Sequence, residues 1–136
     1  MIVFDSSAML AYLRGEAGGD IIRNLLAEDI DVCAHATNLC EVYYDFLRNS
    51  DAATAEDAIK CLKADGIIER NDMDFTFWRD IATVIGTQRK LGNRIALGDA
   101  FGIALARREN AKFYTSDRGE LESIHERGLC KIEFIR

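Results

Sequence analysis

Four carboxylates, Asp5, Glu41, Asp99 and Asp117, have neighbours that make them candidates for chemistry. Asp5 ends the apolar run Ile2-Val3-Phe4, and Asp117 follows the strand-like segment Lys112 to Thr115. Ligands of an open α/β sheet bind beyond the carboxyl ends of the strands, so polar residues just after strands are weighed first. Glu41 and Asp99 each lie near the start of a segment whose apolar residues repeat at helical spacing. Acids from four remote stretches, brought to one crevice, would make a set of hard oxygen donors that suits Mg²⁺ or Mn²⁺. Two carboxylates about 4 Å apart repel by about 4 kcal/mol at an effective dielectric of about 20, so such a cluster is strained without cations.

Each acid also has an ordinary structural role open to it. Asp5 and Asp99 can cap the helices that follow them, and the helix macrodipole favours acids near N-termini. Glu41 sits among Leu39, Val42 and Tyr43, which draw it towards an apolar interior, where a carboxylate demands a partner. Asn38 precedes Glu41 by one helical turn on roughly the same face, placed either to cap the helix or to meet substrate or a water on a metal ion. His35, at a strand end, and His125, in an exposed-looking helix, read as structural or solvated rather than catalytic.

The elements that would position these side chains alternate along the chain. Ile2 to Phe4 reads as a strand, with Ser6-Ser7 offering a cap to a helix carrying Ala8 to Leu13. After Gly15 and Gly18-Gly19, the stripe Ile21, Ile22, Leu25, Leu26 predicts a second helix. A strand over Ile30 to Ala34 leads to a helix capped by Thr37 or Asn38 and carrying Leu39, Val42, Tyr43, Phe46 and Leu47. Ala52 to Ala64 is helical, closed by Gly66, and Ile67-Ile68 resumes as a strand. A helix from Phe75 to about Leu91 ends at Gly92-Asn93, Asp99 opens an apolar helix through Ala106, and Lys112 to Thr115 is a strand. A short helix over Glu120 to Glu126 and a strand over Lys131 to Ile135 complete the pattern. Such alternation predicts a mainly parallel α/β sheet with helices on both faces.

Composition sets the bounds. The 136 residues suit one domain over 1–136, and 49% apolar with 29% charged residues is globular rather than disordered composition. No apolar run approaches the roughly 20 residues of a membrane span, and the N-terminus lacks the pattern of a secretory signal, so a cytoplasmic protein is expected. Cys33, Cys40, Cys61 and Cys130 form no C-x-x-C pair and lie in apolar-patterned segments, predicting buried, reduced thiols. The net charge of −6 argues against broad nonspecific binding of nucleic acid. Local basic groups run the other way: Arg89, Lys90 and Arg94 lie close together, as do Arg107, Arg108 and Lys112, each group equally readable as a solvated helix end.

Taken in order, four segments carry a family resemblance. Val3-Phe4-Asp5-Ser6-Ser7-Ala8, Thr37-Asn38-Leu39-Cys40-Glu41-Val42, Ala96-Leu97-Gly98-Asp99-Ala100 and Tyr114-Thr115-Ser116-Asp117 resemble the acid-bearing segments of the PIN domain family, particularly its VapC toxins. The resemblance spans the chain. It implies a three-layer α/β/α fold with Asp5, Glu41, Asp99 and Asp117 as ligands of Mg²⁺ or Mn²⁺, directly or through water. Ser6 and Thr115 would orient them by hydrogen bonds. Many relatives continue past the last acid with an acid and a phenylalanine, whereas Arg118-Gly119-Glu120-Leu121 stands here. Glu120 either assists the metal site or faces solvent at a helix start.

The implied activity is that of an endoribonuclease in which metal-activated water attacks a phosphodiester, leaving 5′-phosphate and 3′-hydroxyl ends. The resemblance also implies a homodimer and a small cognate antitoxin covering the acidic crevice, with Tyr12, Tyr43, Tyr44, Phe46 and Leu47 as groove candidates unless the core takes them. Two competing readings stand beside it. One is an α/β phosphohydrolase with an aspartate nucleophile, weakened because Ser7 stands two residues after Asp5 where that class has a second acid. The other is a catalytically silent protein-binding module, weakened because all four positions are acidic.

Overall fold

Ile2–Phe4 (β1) is buried on both faces, as a central strand of a parallel sheet covered by helices must be. The computed structural model describes residues 1–136. After β1 come α1 (Ser6–Arg14), α2 (Gly19–Ala27), β2 (Val32–His35), α3 (Ala36–Asn49), α4 (Ala52–Ala64) and β3 (Ile67–Arg70). The second half holds α5 (Phe75–Lys90), α6 (Leu97–Glu109), β4 (Lys112–Thr115), α7 (Leu121–Glu126) and β5 (Lys131–Phe134). All strand pairs are parallel, in the order β3-β2-β1-β4-β5.

The period of two along the strands separates two cores. Val3, Cys33, Phe113 and Ile132 pack against α5, α6 and α7, while Ile2, Phe4, Val32, Ala34 and Ile67 pack against α1 to α4. This is the three-layer α/β/α arrangement. Phe4, Phe113, Met9 and Leu105 are among the fully buried side chains, and each stabilises the fold by about 1.5–3 kcal/mol relative to exposure. Helix α6 is buried continuously from Ala100 to Ala106, because it lies between the sheet, α3 and α5.

Helix starts bear out one expectation and correct others. Of the candidates Asp5, Ser6 and Ser7, Asp5 caps α1, its carboxylate accepting from Ala8 N–H at 2.8 Å. His35, not Thr37 or Asn38, caps α3, its ring accepting from Thr37 N–H. Helix α6 begins at Leu97 with Ala96 as its cap residue, so Asp99 stands inside the first turn. A cap needs extended backbone at its own position, and the strand ends supply that conformation directly. Gly66 closes α4 with a φ of 99°, as expected of a residue just past a helix end.

The cysteines are not all buried. Cys33 and Cys130 are, but Cys40 and Cys61 are exposed, because on α3 and α4 the core stripe is taken by Leu39 and Val42, and by Ala58 and Leu62. No helix is long and apolar enough to cross a membrane.

Candidate metal centre

The sheet order makes β1 the switch point. The chain leaves β1 to form β2 and β3 on one side and later forms β4 and β5 on the other. In open sheets of this class ligands bind outside the carboxyl ends of the strands at such a switch point, here the ends of β1 and β4. Asp5 directly follows β1, and Thr115 ends β4 two residues before Asp117. Glu41 enters from α3 and Asp99 from the first turn of α6.

Asp5 is 1% exposed. Its Oδ1 accepts from Ser7 Oγ and from Ala8 N–H, both at 2.8 Å, and its Oδ2 accepts from Thr115 Oγ1 at 2.6 Å. Thr115 Oγ1 also accepts from Asp117 N–H at 3.0 Å, and Ser7 Oγ accepts from Ser116 N–H at 2.9 Å. One carboxylate thus ties the end of β1, the start of α1 and the turn after β4 together. Ser6 stands near Glu41 instead, where its hydroxyl opposes the rise of that carboxyl. Ser7, with its three contacts, is the residue that sequence reasoning missed.

Glu41 is held by Asn38, whose Nδ2 donates to Glu41 Oε1 at 3.0 Å and to the Gly98 carbonyl at 3.1 Å. Asn38 is fully buried and its Oδ1 has no partner. The approach of α3 to α6 depends on two glycines. A Cβ on Gly98 would collide with Glu41 Oε1, and one on Gly102 would stand 2.5 Å from the Phe113 ring and 3.1 Å from Asn38 Oδ1. Their four-residue repeat in an otherwise apolar helix is a readable sign of close packing.

Electrostatics separate these acids from the rest of the molecule. Burial raises Asp5 to about 6 despite its three hydrogen bonds. Burial, then the charges of Asp5, Asp117, Glu41 and Glu120, raise Asp99 to about 7. Burial also pushes Glu41 up, opposed by Asn38 and Ser6. None of these acids enters an ion pair. All four predicted acids and Glu120 therefore act on one neighbourhood with no basic side chain paired to them, Asp117 and Glu120 from its exposed rim.

An all-carboxylate donor set fits a hard divalent cation. No three Asp, Glu, His or Cys side chains stand at mutual ligating distance. That spacing fits an ion held by one or two of these acids and water, the usual manner of Mg²⁺, rather than an all-protein cage. The histidines lie elsewhere. His35 stacks on Phe77, lies tilted against Phe101 and contacts the Asp72 carbonyl at 2.9 Å, and His125 packs edge-on against Phe134.

The chain belongs to the PIN domain family, a family of nucleases, whose sequence profile matches residues 2–125. No curated protein matches the sequence significantly. Solved structures do match the fold. VapBC2 from Rickettsia felis, bound to a DNA fragment from their promoter, superposes with a TM-score of 0.78 at 13% identity, covering 98% of both chains. VapBC-1 from nontypeable Haemophilus influenzae gives 0.76 at 14% identity, covering 99% of this chain and 98% of that one. The sarcin–ricin loop cleaving toxin VapC20 from Mycobacterium tuberculosis gives 0.69 at 15% identity, covering 90% and 95%. Family membership displaces the phosphohydrolase alternative.

Proposed function

We propose that this chain, as one nuclease domain over residues 1–136, is a metal-dependent endoribonuclease, the toxin of a VapBC-type pair acting in the cytoplasm. Asp99 carries the reading: it is a half-buried carboxylate with no hydrogen bond and no ion pair, raised to about 7 by burial first and then by the acids it faces. A protein leaves such a group uncompensated where a cation from outside completes it.

In this reading Asp5, Glu41, Asp99 and Asp117 hold Mg²⁺ or Mn²⁺, one or two of them directly and the rest through water, with Glu120 at the edge of the site. A bound divalent ion supplies an activated water and neutralises charge on the phosphoryl oxygens. The chain's own residues orient the ligands. Ser7 and Thr115 fix both oxygens of Asp5, and Asn38 holds Glu41 against the Gly98 turn of α6, with Ser6 near it. With both histidines engaged elsewhere, the acids and the turn after β4 are what the chain offers to a substrate phosphate. The names of the structural neighbours support an antitoxin partner and an RNA substrate, and we extend the reading to a homodimer. Of the groove candidates, Tyr44 and Leu47 remain 51% and 45% exposed, while Tyr12 and Phe46 pack on the core beside α1 to α4.

The test is cleavage of structured and unstructured RNA by purified, antitoxin-free protein in Mg²⁺, Mn²⁺ and EDTA, beside Asp5→Asn and Asp99→Asn. Metal-dependent cutting lost in both variants is the expected result. Absence of cutting together with no metal-induced rise in melting temperature would instead support the silent protein-binding module.

A further inference from the structure

The two basic groups of the sequence meet opposite treatment in the fold. Arg107 pairs with Asp80, Arg108 with Asp72 and Asp74, and Lys112 with Glu133. Arg89, Lys90 and Arg94 are exposed and enter no ion pair. They stand at the last turn of α5 and on the loop that leads to α6 and Asp99.

That loop is tied down by a buried polar knot. Gln88 is fully buried, and its Oε1 accepts from Asn93 Nδ2 at 2.8 Å. The same Asn93 amide donates to the Glu120 carbonyl at 3.0 Å, and Asn93 N–H donates to the Gln88 carbonyl at 2.9 Å. Ser123 Oγ reaches Gln88 Oε1 at 3.5 Å. The loop is thereby bound to the turn carrying Asp117 and Glu120. Gln88 Nε2 has no partner, a cost that an apolar side chain would avoid. What Gln88 contributes is therefore position rather than net stability.

We propose that Arg89, Lys90 and Arg94 seat the phosphate backbone of single-stranded RNA beside the acid centre, with Gln88 and Asn93 as positioning residues that hold this loop against the Asp117–Glu120 turn. This rests on the nuclease reading above. A chain of net charge −6 with Asp5, Glu41, Asp99, Asp117 and Glu120 gathered in one neighbourhood repels a polyanion there, so binding needs uncompensated cations beside them. These three are free, adjacent in sequence and anchored to the turn that bears two of the acids.

The experiment uses Asp99→Asn protein, chosen to suppress cutting, titrated in Mg²⁺ against a fluorescein-labelled single-stranded RNA oligonucleotide between about 50 and about 200 mM salt. Changing Arg89, Lys90 and Arg94 together to Gln should weaken binding at the lowest salt by at least about tenfold. It should also reduce the slope of log affinity against log salt by about 2, as loss of three single-strand phosphate contacts requires. Asn93→Ala, which keeps every cation but frees the loop, should weaken binding by a smaller factor and leave the slope unchanged. A single cooperative melting transition well above the titration temperature shows that each variant is folded. Equal affinity and slope in parent and triple variant overturn this inference alone, and Asn93→Ala binding at the parent's affinity overturns the positioning role. A parent that binds no RNA overturns it together with the nuclease reading.

Discussion

Helix α6 meets an acidic cluster at each end, and the two differ in what neutralises them. At its C-terminal end Asp72, Asp74 and Glu109 surround Arg70 and Arg108. Arg70 donates to both oxygens of Asp72 at 2.9 and 3.0 Å and to Glu109 at 2.7 Å, and Arg108 bridges Asp72 at 2.9 Å and Asp74 at 2.7 Å. Hydrogen bonds from Arg70 hold the Asp72 carboxyl below its usual range, and those from Arg108 do the same for Asp74. At its N-terminal end Asp99, Asp5 and Glu41 are raised, and no guanidinium reaches them. An acid cluster closed by its own arginines is architecture. One left open stays uncompensated until a proton or a cation joins it, and that deficit of positive charge is what the proposed metal centre would use.

The contrast is broken most severely by Asp99→Asn. Loss of a ligand that supplies several kcal/mol of transition-state stabilisation should lower RNA cutting in Mn²⁺ by about 1000-fold or more, whereas Asp74→Asn at the other end should leave the cutting rate unchanged. Comparable rates for Asp99→Asn and the parent would remove the distinction between the two clusters. Next in size are Thr115→Val, which withdraws the 2.6 Å hydrogen bond to Asp5, and Gly98→Ala, which drives a methyl group into Glu41. Each should cost about 10–100-fold in activity or metal affinity while the protein still folds, checked by a Mn²⁺ titration followed through melting temperature. Full activity in Gly98→Ala would mean that Glu41 need not sit against α6.

Arg70→Met tests the closed cluster. Leaving Asp72 and Glu109 without this partner should destabilise the fold by about 1–2 kcal/mol, since the pair is partly open to solvent, as read by urea unfolding. No loss of stability would show that Arg108 alone suffices.

The smallest effect expected is on pH dependence. Asp5 and Asp99 titrate near 6 and 7 in the folded protein, above their ordinary carboxylate range, so the native state binds more protons than the unfolded state across that interval. Their contribution is fully present below about pH 4 and is lost as pH rises through about 7. Metal-free protein should therefore lose a few degrees of melting temperature between about pH 5 and about pH 7.5, and saturating Mg²⁺ should restore them at the higher pH. A metal-free melting temperature that rises over this interval would contradict the open cluster.

Much of the fold was legible because it follows from local pattern. Alternating apolar runs and helical stripes located every element, and the acids that follow β1 and β4 were visible as polar residues after apolar runs. The partners of those acids were less legible. Ser6 and Ser7 are adjacent hydroxyls, and only the path of α1 decides that Ser7 meets Asp5 and Thr115 while Ser6 turns to Glu41. The cap at His35 depends on backbone dihedrals at a strand end, and the exposure of Cys40 and Cys61 depends on which stripe of α3 and α4 faces the sheet.

By itself, the sequence determined the element order, the parallel sheet and the family, and it singled out four candidate acids, because periodicity and short motifs are properties of neighbouring residues. Tertiary structure alone decided which charges cancel. Arg108 and Asp74 are 34 residues apart and Thr115 and Asp5 are 110 apart, so neither pairing is written in any local pattern. The basic groups 89–94 and 107–112 look alike in one dimension. One is neutralised and the other left free because a salt bridge acts over a few ångströms of space, a distance that the chain fixes only when it folds.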